Sequence, residues 1–397
     1  MFSFKNKLDP TLRHALQCNL YENYRVIIHC KSLEDKTINK IKSLKCDIIR
    51  NIPSISCICA ILTSTAINRL LEYPQTAYIT FDSYAHLCGN SVLSSNGISF
   101  HTNYELSGKG IGVGIIDSGV YPHCDLINPN NRIKKFIDVV NNLNYPYDDN
   151  GHGTFISGLI CSSGYGSRGM YKGVAINSHL YMIKAFNRLG KGFISDILFS
   201  LEALINESKE FNIKIICLPF ETLETNEFTL SLFSNLFDLA ISKGIVIIVP
   251  SGSNQNIKSS IRGIATLSNC ITVGGYNSTS DAKIYEYSSC GPFQKLDKPN
   301  LIAACVDICS LISDTQFISE KNGVKLYPQS ITNLYTTYTG TSCSAAFISG
   351  ICALLYENNI NLCFKDILAL LKVSSSLINF PKYMQGSGIL DIEKLLP

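Results

Sequence analysis

The stretch Gly340-Thr341-Ser342-Cys343-Ser344-Ala345-Ala346-Phe347-Ile348-Ser349-Gly350 reads as a tight glycine turn running into a buried helix of small side chains, with a serine at its start. That start is where a nucleophile would sit, and the rest of the chain must be organised around it. A serine hydroxyl at its free pKa attacks nothing without a base in hydrogen-bond reach and a third group to orient that base. The sequence supplies both. Gly151-His152-Gly153-Thr154 opens an apolar run that reads as a helix, and Gly112-Val113-Gly114-Ile115-Ile116-Asp117-Ser118-Gly119 reads as a β-strand ending in an aspartate. The order along the chain is Asp117, His152, Ser342.

That order separates serine-hydrolase designs that share one geometry on unrelated folds. An α/β-hydrolase needs its histidine after the serine, yet all seven histidines (14, 29, 86, 101, 123, 152 and 179) precede Ser342. A chymotrypsin-like order puts the histidine before the aspartate, and no strand-rich barrel pattern accompanies such a pair. The remaining order is that of subtilisin. With its Asp-Ser-Gly, His-Gly-Thr and Gly-Thr-Ser stretches, the chain resembles the subtilisin-like serine peptidases from about Tyr24 to its C-terminus. The resemblance implies an α/β three-layer sandwich with a mainly parallel sheet, and an endopeptidase that works through an acyl-enzyme.

A chain of 397 residues, 46% hydrophobic and 16% charged, can bury one large core and has room for a small second one. The formal net charge of +3, without a basic run, argues against nucleic acid as a partner. No segment approaches the 18 or so consecutive apolar residues of a membrane span. The first ten residues lack the apolar stretch of a signal peptide, and sixteen scattered cysteines, many inside strand-like runs, read as buried free thiols. Together these predict a cytoplasmic protein, with non-classical export as the alternative.

Residues 24–81 show a pattern of their own. Strands are predicted over 24–29, 46–51, 56–62 and 76–81, with helices over 35–44 and 64–72: the β-α-β-β-α-β order of a small ferredoxin-like α+β domain. Ahead of a subtilase domain this resembles an I9-like propeptide, which implies a self-processing zymogen whose own N-terminal domain acts as an intramolecular inhibitor, cut near Leu87. The expected division is an extension over 1–23, the propeptide-like domain over 24–87, a linker over 88–110 and the catalytic domain over 111–397. Beyond Gly110, strands to Asp117 and over 180–185, 213–218 and 245–249 alternate with helices after His152 and over 196–207 and 228–242. That alternation predicts a parallel sheet covered on both faces, with Ser195 as an N-cap of the second helix.

The resemblance assigns Ser342 as nucleophile, His152 as general base and then acid, and Asp117 as the group that orients it. Polypeptide substrates would pair their backbone with Gly190-Lys191-Gly192 and Leu218-Pro219-Phe220, although Pro219 lacks a backbone donor. The oxyanion donor falls in Val249-Pro250-Ser251-Gly252-Ser253-Asn254: a gap-free reading gives Ser253, a one-residue bulge gives Asn254, and the longer reach of an amide favours Asn254. No cofactor or structural metal is expected. Calcium has no clear site, because Ser162–Tyr171 carries no carboxylate. Cys343, beside the nucleophile, is expected to make the protein sensitive to bulky thiol reagents. The rival class is a subtilase-like pseudoprotease that binds a partner through the same groove. A thiol redox or metal protein, the third class, rests only on cysteine number.

Overall fold

The computed structural model describes all residues except 1–6, 32–33, 54–55, 83–90, 99–104, 223–226, 279–281, 295, 330 and 397. The chain divides into two compact units, Met1–Cys88 and Gly89–Pro397.

In the first unit, β1 (Asn23–Cys30), β2 (Asp47–Ile52), β3 (Cys57–Thr63) and β4 (Thr76–Phe81) form an antiparallel sheet in the order β2-β3-β1-β4. The helices are α1 (Pro10–Gln17), α2 (Glu34–Ser43) and α3 (Ser64–Glu72). Alternation along β1 puts Tyr24, Val26 and Ile28 in the core, where they meet Ile67 and Leu70 of α3. Thr63 caps α3 by accepting the Ala66 N–H at 3.2 Å. This is the β-α-β-β-α-β order read from the sequence, with no element end displaced by more than one residue.

Residues 7–23 of the stretch read as an extension are built into this unit, and residues 1–6 lie outside the described residues. Asp9 caps α1 by accepting the Leu12 N–H at 2.8 Å, Leu12 and Ala15 are buried in the sheet's core, and the Tyr24 hydroxyl donates to the Ala15 carbonyl.

In the second unit the longer parallel strands among the described residues are β5 (Gly112–Asp117), β6 (Ile133–Asp138), β7 (His179–Lys184), β8 (Ile213–Cys217), β9 (Val246–Pro250), β10 (Ile271–Asn277) and Leu301–Ala304, and the short Ile389–Leu390 joins parallel beside the last. Their order in the sheet is Leu301–Ala304, β10, β9, β8, β5, β7, β6. Two short turns of helix, α4 (Val92–Ser95) and α5 (Cys124–Ile127), precede the longer helices α6 (His152–Cys161), α7 (Ile194–Asn206), α8 (Glu227–Ser242) and α9 (Thr341–Asn358). β5 shows why the sheet is covered on both faces: Val113 and Ile115 point into a core shared with α6 and α9, and Ile116 into one shared with α7 and α8. Every residue of α9 from Cys343 to Tyr356 is buried. A helix apolar all round must lie inside, and here it occupies one layer of a three-layer α/β sandwich.

Three sequence expectations shift. The 88–110 linker is only partly a linker, because Val92, Leu93 and Ile98 belong to the second unit's core. Helix α7 starts at Ile194 with Phe193 as its cap residue, so Ser195 lies in the first turn and does not cap it. β6, β10 and Leu301–Ala304 are not among the strands read from the sequence, and in β6 Lys134 and Lys135 interrupt the apolar run.

If α1 is an integral part of the small unit, Leu12→Ala removes a fully buried side chain and costs it about 2–5 kcal/mol. Native-state hydrogen exchange on the full chain should then show faster exchange at the Val26 and Ile28 amides. Unchanged protection there would return residues 1–23 to the status of an appendage.

Candidate active site

Asp117 ends β5 and His152 begins α6, and the two meet because the strand end and the helix start are locked together. His152 Nδ1 lies 2.9 Å from each carboxylate oxygen of Asp117, and the Ser118 N–H donates to Asp117 Oδ1 at 2.6 Å. Behind them sits Asp148, a fully buried carboxylate the sequence reading passed over. It accepts the Ser118 hydroxyl at 2.9 Å, the Asn150 and Gly151 N–H groups at 3.1 and 2.8 Å, and the Thr154 N–H and hydroxyl at 2.8 and 2.6 Å. Ser118 Oγ in turn accepts the Gly153 N–H at 2.9 Å. A Cβ at Gly153 would stand 2.1 Å from the Gly119 carbonyl oxygen and 3.1 Å from Asp117 Cβ, so no other residue lets the helix come this close. Buried Lys184, at the end of β7, donates to the Ser118 and Phe186 carbonyls and pairs with Asp149 at 2.5 Å.

Burial by itself would lower the His152 pKa. The charge and hydrogen bond of Asp117, helped by Asp148, outweigh it and hold His152 above the ordinary histidine value. Tyr338, also unread in the sequence, packs its ring edge-on against His152 at 5.6 Å and against Phe155 at 5.7 Å.

Ser342 is half-buried in the first turn of α9, where the backbone N–H groups have no intrahelical acceptor and the helix dipole favours negative charge. Thr341 ties that turn to the Gly252 carbonyl at 3.3 Å. Asp117, His152 and Ser342 line one cleft of about 780 Å³, together with Ser253, Gly190, Pro219 and Phe220. The expectation for Cys343 is overturned: its side chain faces the core, and burial pushes its thiol pKa up to about 12, which leaves almost no thiolate to react.

The remaining expected residues are divided. Of the two oxyanion candidates, Ser253 is among the residues lining the cleft and Asn254 is not; the Asn254 N–H is held by Ser289 Oγ at 2.8 Å. Both side chains donate to Glu221, Ser253 Oγ at 2.6 Å and Asn254 Nδ2 at 3.2 Å. Leu218 is not a substrate contact by its side chain, which is wholly buried in the core shared with α7 and α8. The Phe220 N–H turns back to the Leu218 carbonyl at 2.9 Å, so with Pro219 having no donor, this edge offers fewer N–H groups than a regular strand. Gly190 and Lys191 belong to a turn closed on Asn187, whose backbone N–H bonds the Lys191 carbonyl. Lys191 is exposed, and neither it nor Gly192 is among the residues lining the cleft.

The loop Ser162–Tyr171 draws a carboxylate from elsewhere, Asp125. It accepts the Gly166 N–H, the Ser162 hydroxyl and the Tyr335 hydroxyl, so its oxygens are engaged and the set does not fit a calcium ion. Neighbouring His123 uses both ring nitrogens: Nδ1 accepts the Asp125 N–H and Nε2 donates to the Leu334 carbonyl. His123, Cys124 and Asp125 bring their ligand atoms within 4.8 Å of one another, and His123 and Asp125 are already engaged in hydrogen bonds there. Among the described residues no cysteine is joined to another, and no helix is long and apolar enough to cross a membrane.

Proton NMR of wild-type protein should place the His152 midpoint above 6.5, and Asp117→Asn should move it down by removing the charge that raises it. A midpoint that Asp117→Asn leaves in place would mean the pair is not coupled. Mass spectrometry after treatment of the folded protein with a bulky maleimide should find Cys343 unmodified. Its labelling at the rate of exposed Cys18 or Cys363 would contradict the burial.

Residues 108–388 match the model of the Subtilase family. The chain is 31% identical over 333 residues to "Serine protease AprX" of Bacillus subtilis, covering 80% of this chain and 74% of the relative. To "Subtilisin-like protease 1" of Plasmodium falciparum it is 25% identical over 307 residues; that match covers 70% of this chain and 42% of the longer relative. The solved structure of the epidermin leader peptide processing serine protease of Staphylococcus aureus superposes with a TM-score of 0.59 over 94% of this chain and 99% of that one, at 18% identity, a likeness of fold. The strand-borne aspartate, the helix-borne histidine and the serine at the head of the buried helix stand in the second unit of a chain that belongs to the subtilase family.

Proposed function

We propose that this chain is a serine endopeptidase that hydrolyses polypeptides at the cleft holding Asp117, His152 and Ser342. The observation that carries the reading is the His152 ring, fixed by both oxygens of Asp117 in a cleft that Ser342 also lines. Ser342 Oγ attacks the peptide carbonyl carbon as His152 Nε2 takes its proton. The tetrahedral intermediate collapses when the imidazolium protonates the departing amine, leaving an acyl-enzyme, and water repeats the sequence in reverse roles. Asp117 keeps Nδ1 protonated and stabilises the imidazolium. Oxyanion charge falls to the N–H of Ser342 at the α9 N-terminus; the N–H and hydroxyl of Ser253 are both given to Glu221 and are not free to share it.

The first unit is proposed as a propeptide and intramolecular inhibitor, a reading supported by its ferredoxin-like topology ahead of a subtilase domain. The proposed cut near Leu87 lies outside the described residues. A reducing compartment such as the cytoplasm is proposed as the setting, supported by the absence of disulfides among the described cysteines.

Ser342→Ala should reduce casein hydrolysis to background with unchanged circular dichroism; digestion at the wild-type rate would refute the assignment. If the first unit is a propeptide, wild-type protein should yield two fragments on a gel and Ser342→Ala a single chain. Because the base must be neutral, kcat should rise with pH through the His152 pKa. Asp117→Asn should move that limb to lower pH while cutting the plateau by about 10⁴-fold.

A further inference from the structure

Glu221 follows directly on the Leu218-Pro219-Phe220 edge and lines the cleft. Its carboxylate is exposed yet fixed: the Ser253 N–H donates to it at 2.9 Å, the Ser253 hydroxyl at 2.6 Å and the Asn254 amide at 3.2 Å. The backbone is shaped to admit it. Gly252 has φ +99°, and a Cβ there would stand 2.6 Å from Glu221 Oε2. Three neutral donors orient a carboxylate without neutralising it, and Glu221 takes part in no ion pair among the described residues. Among the described residues, the cleft's other carboxylate, Asp117, is engaged by His152, and no lysine or arginine lines the cleft. Beside Glu221 the walls are apolar: Phe220 and Phe186 lie ring to ring at 4.9 Å, with Pro219 and Pro250 nearby.

We propose that Glu221 is a specificity-determining residue that selects substrates with a lysine or arginine side chain on the acyl side of the scissile bond. The inference rests on the peptidase reading above. A lysine or arginine is an apolar stem with a cationic head, and the cleft offers the matching sequence of surfaces: aromatic and proline walls for the stem, an oriented carboxylate for the head. Covering the pair with substrate removes water from around Glu221, so its attraction for a cation strengthens as the substrate seats. A neutral or acidic side chain there would leave the carboxylate unpaired or opposed, and discrimination by such a rejected partner is larger than by apolar fit alone.

The test is a set of fluorogenic peptides identical except for Lys, Arg, Leu, Gln or Glu before the scissile bond. They are cleaved by wild-type enzyme and by Glu221→Gln, which keeps the size but removes the charge and turns one acceptor oxygen into an amide donor. The expected result is a kcat/KM at least tenfold higher for Lys and Arg than for Leu or Gln in the wild type, with Glu221→Gln erasing most of that ratio. Equal cleavage of Lys and Leu peptides overturns the inference and leaves the peptidase reading standing. A rise in turnover of every peptide in Glu221→Gln also overturns it, since Glu221 would then be an occupant of the oxyanion donors. If no peptide is cleaved, the peptidase reading fails, and binding of the cationic fluorophore p-aminobenzamidine decides: saturable binding lost in Glu221→Gln supports the cation site, and no binding overturns it.

Discussion

The site depends first on one buried carboxylate that takes no part in the chemistry. Asp148 collects five donors from the strand end at Ser118 and from the start of α6, and so converts a loop between two elements into a fixed joint. Hydrogen bonds to a charged acceptor contribute about 1.5–3 kcal/mol each, and a buried carboxylate left without them would be strongly unfavourable. Asp117 and His152 therefore share a frame, as Asp148 grips the residue after one and those flanking the other. Positioning of this kind accounts for much of the benefit of an active site, because the reacting groups arrive already oriented.

Around that joint the charges are arranged in layers. Lys184, wholly buried, neutralises Asp149 and holds two carbonyls beneath the strand end, so the turn carrying Asp117 rests on a cation. Asp117 faces His152, Tyr338 packs edge-on against the ring, and Ser342 reaches the cleft from a helix that is buried from Cys343 to Tyr356. Burial in the α9 layer makes Cys343 an inert neighbour of the nucleophile. Glu221 lies outside this inner arrangement, on the wall of the cleft, where charge decides what is bound and not how the bond is broken.

Much of this was legible because the chemistry imposes short, local patterns. Asp117 at a strand end, His152 between glycines and Ser342 before small apolar residues each show their role within a few neighbours. The ferredoxin-like unit was legible from alternation such as that of Tyr24, Val26 and Ile28. What escaped depends on contacts between distant segments. Asp148 is an ordinary loop aspartate until folding brings Ser118 to it. Asp125 supplies a carboxylate to a loop some forty residues later. Glu221 gains its orientation from Ser253 and Asn254 across two adjacent strand ends. The apolar Val92, Leu93 and Ile98 could have flagged the ordered part of the linker, whereas nothing local marks Tyr338 as the ring that meets His152.

The central claim is that the Asp148 joint, and not the presence of the three catalytic side chains alone, makes the site competent. Its most direct test is the rate at which a fluorophosphonate labels Ser342 in Asp148→Ala, compared with wild type and Asp148→Asn, with circular dichroism as a check on folding. A folded Asp148→Ala protein labelled on the order of 100-fold more slowly, with Asp148→Asn in between, is the expected result. Labelling of folded Asp148→Ala at the wild-type rate would contradict it.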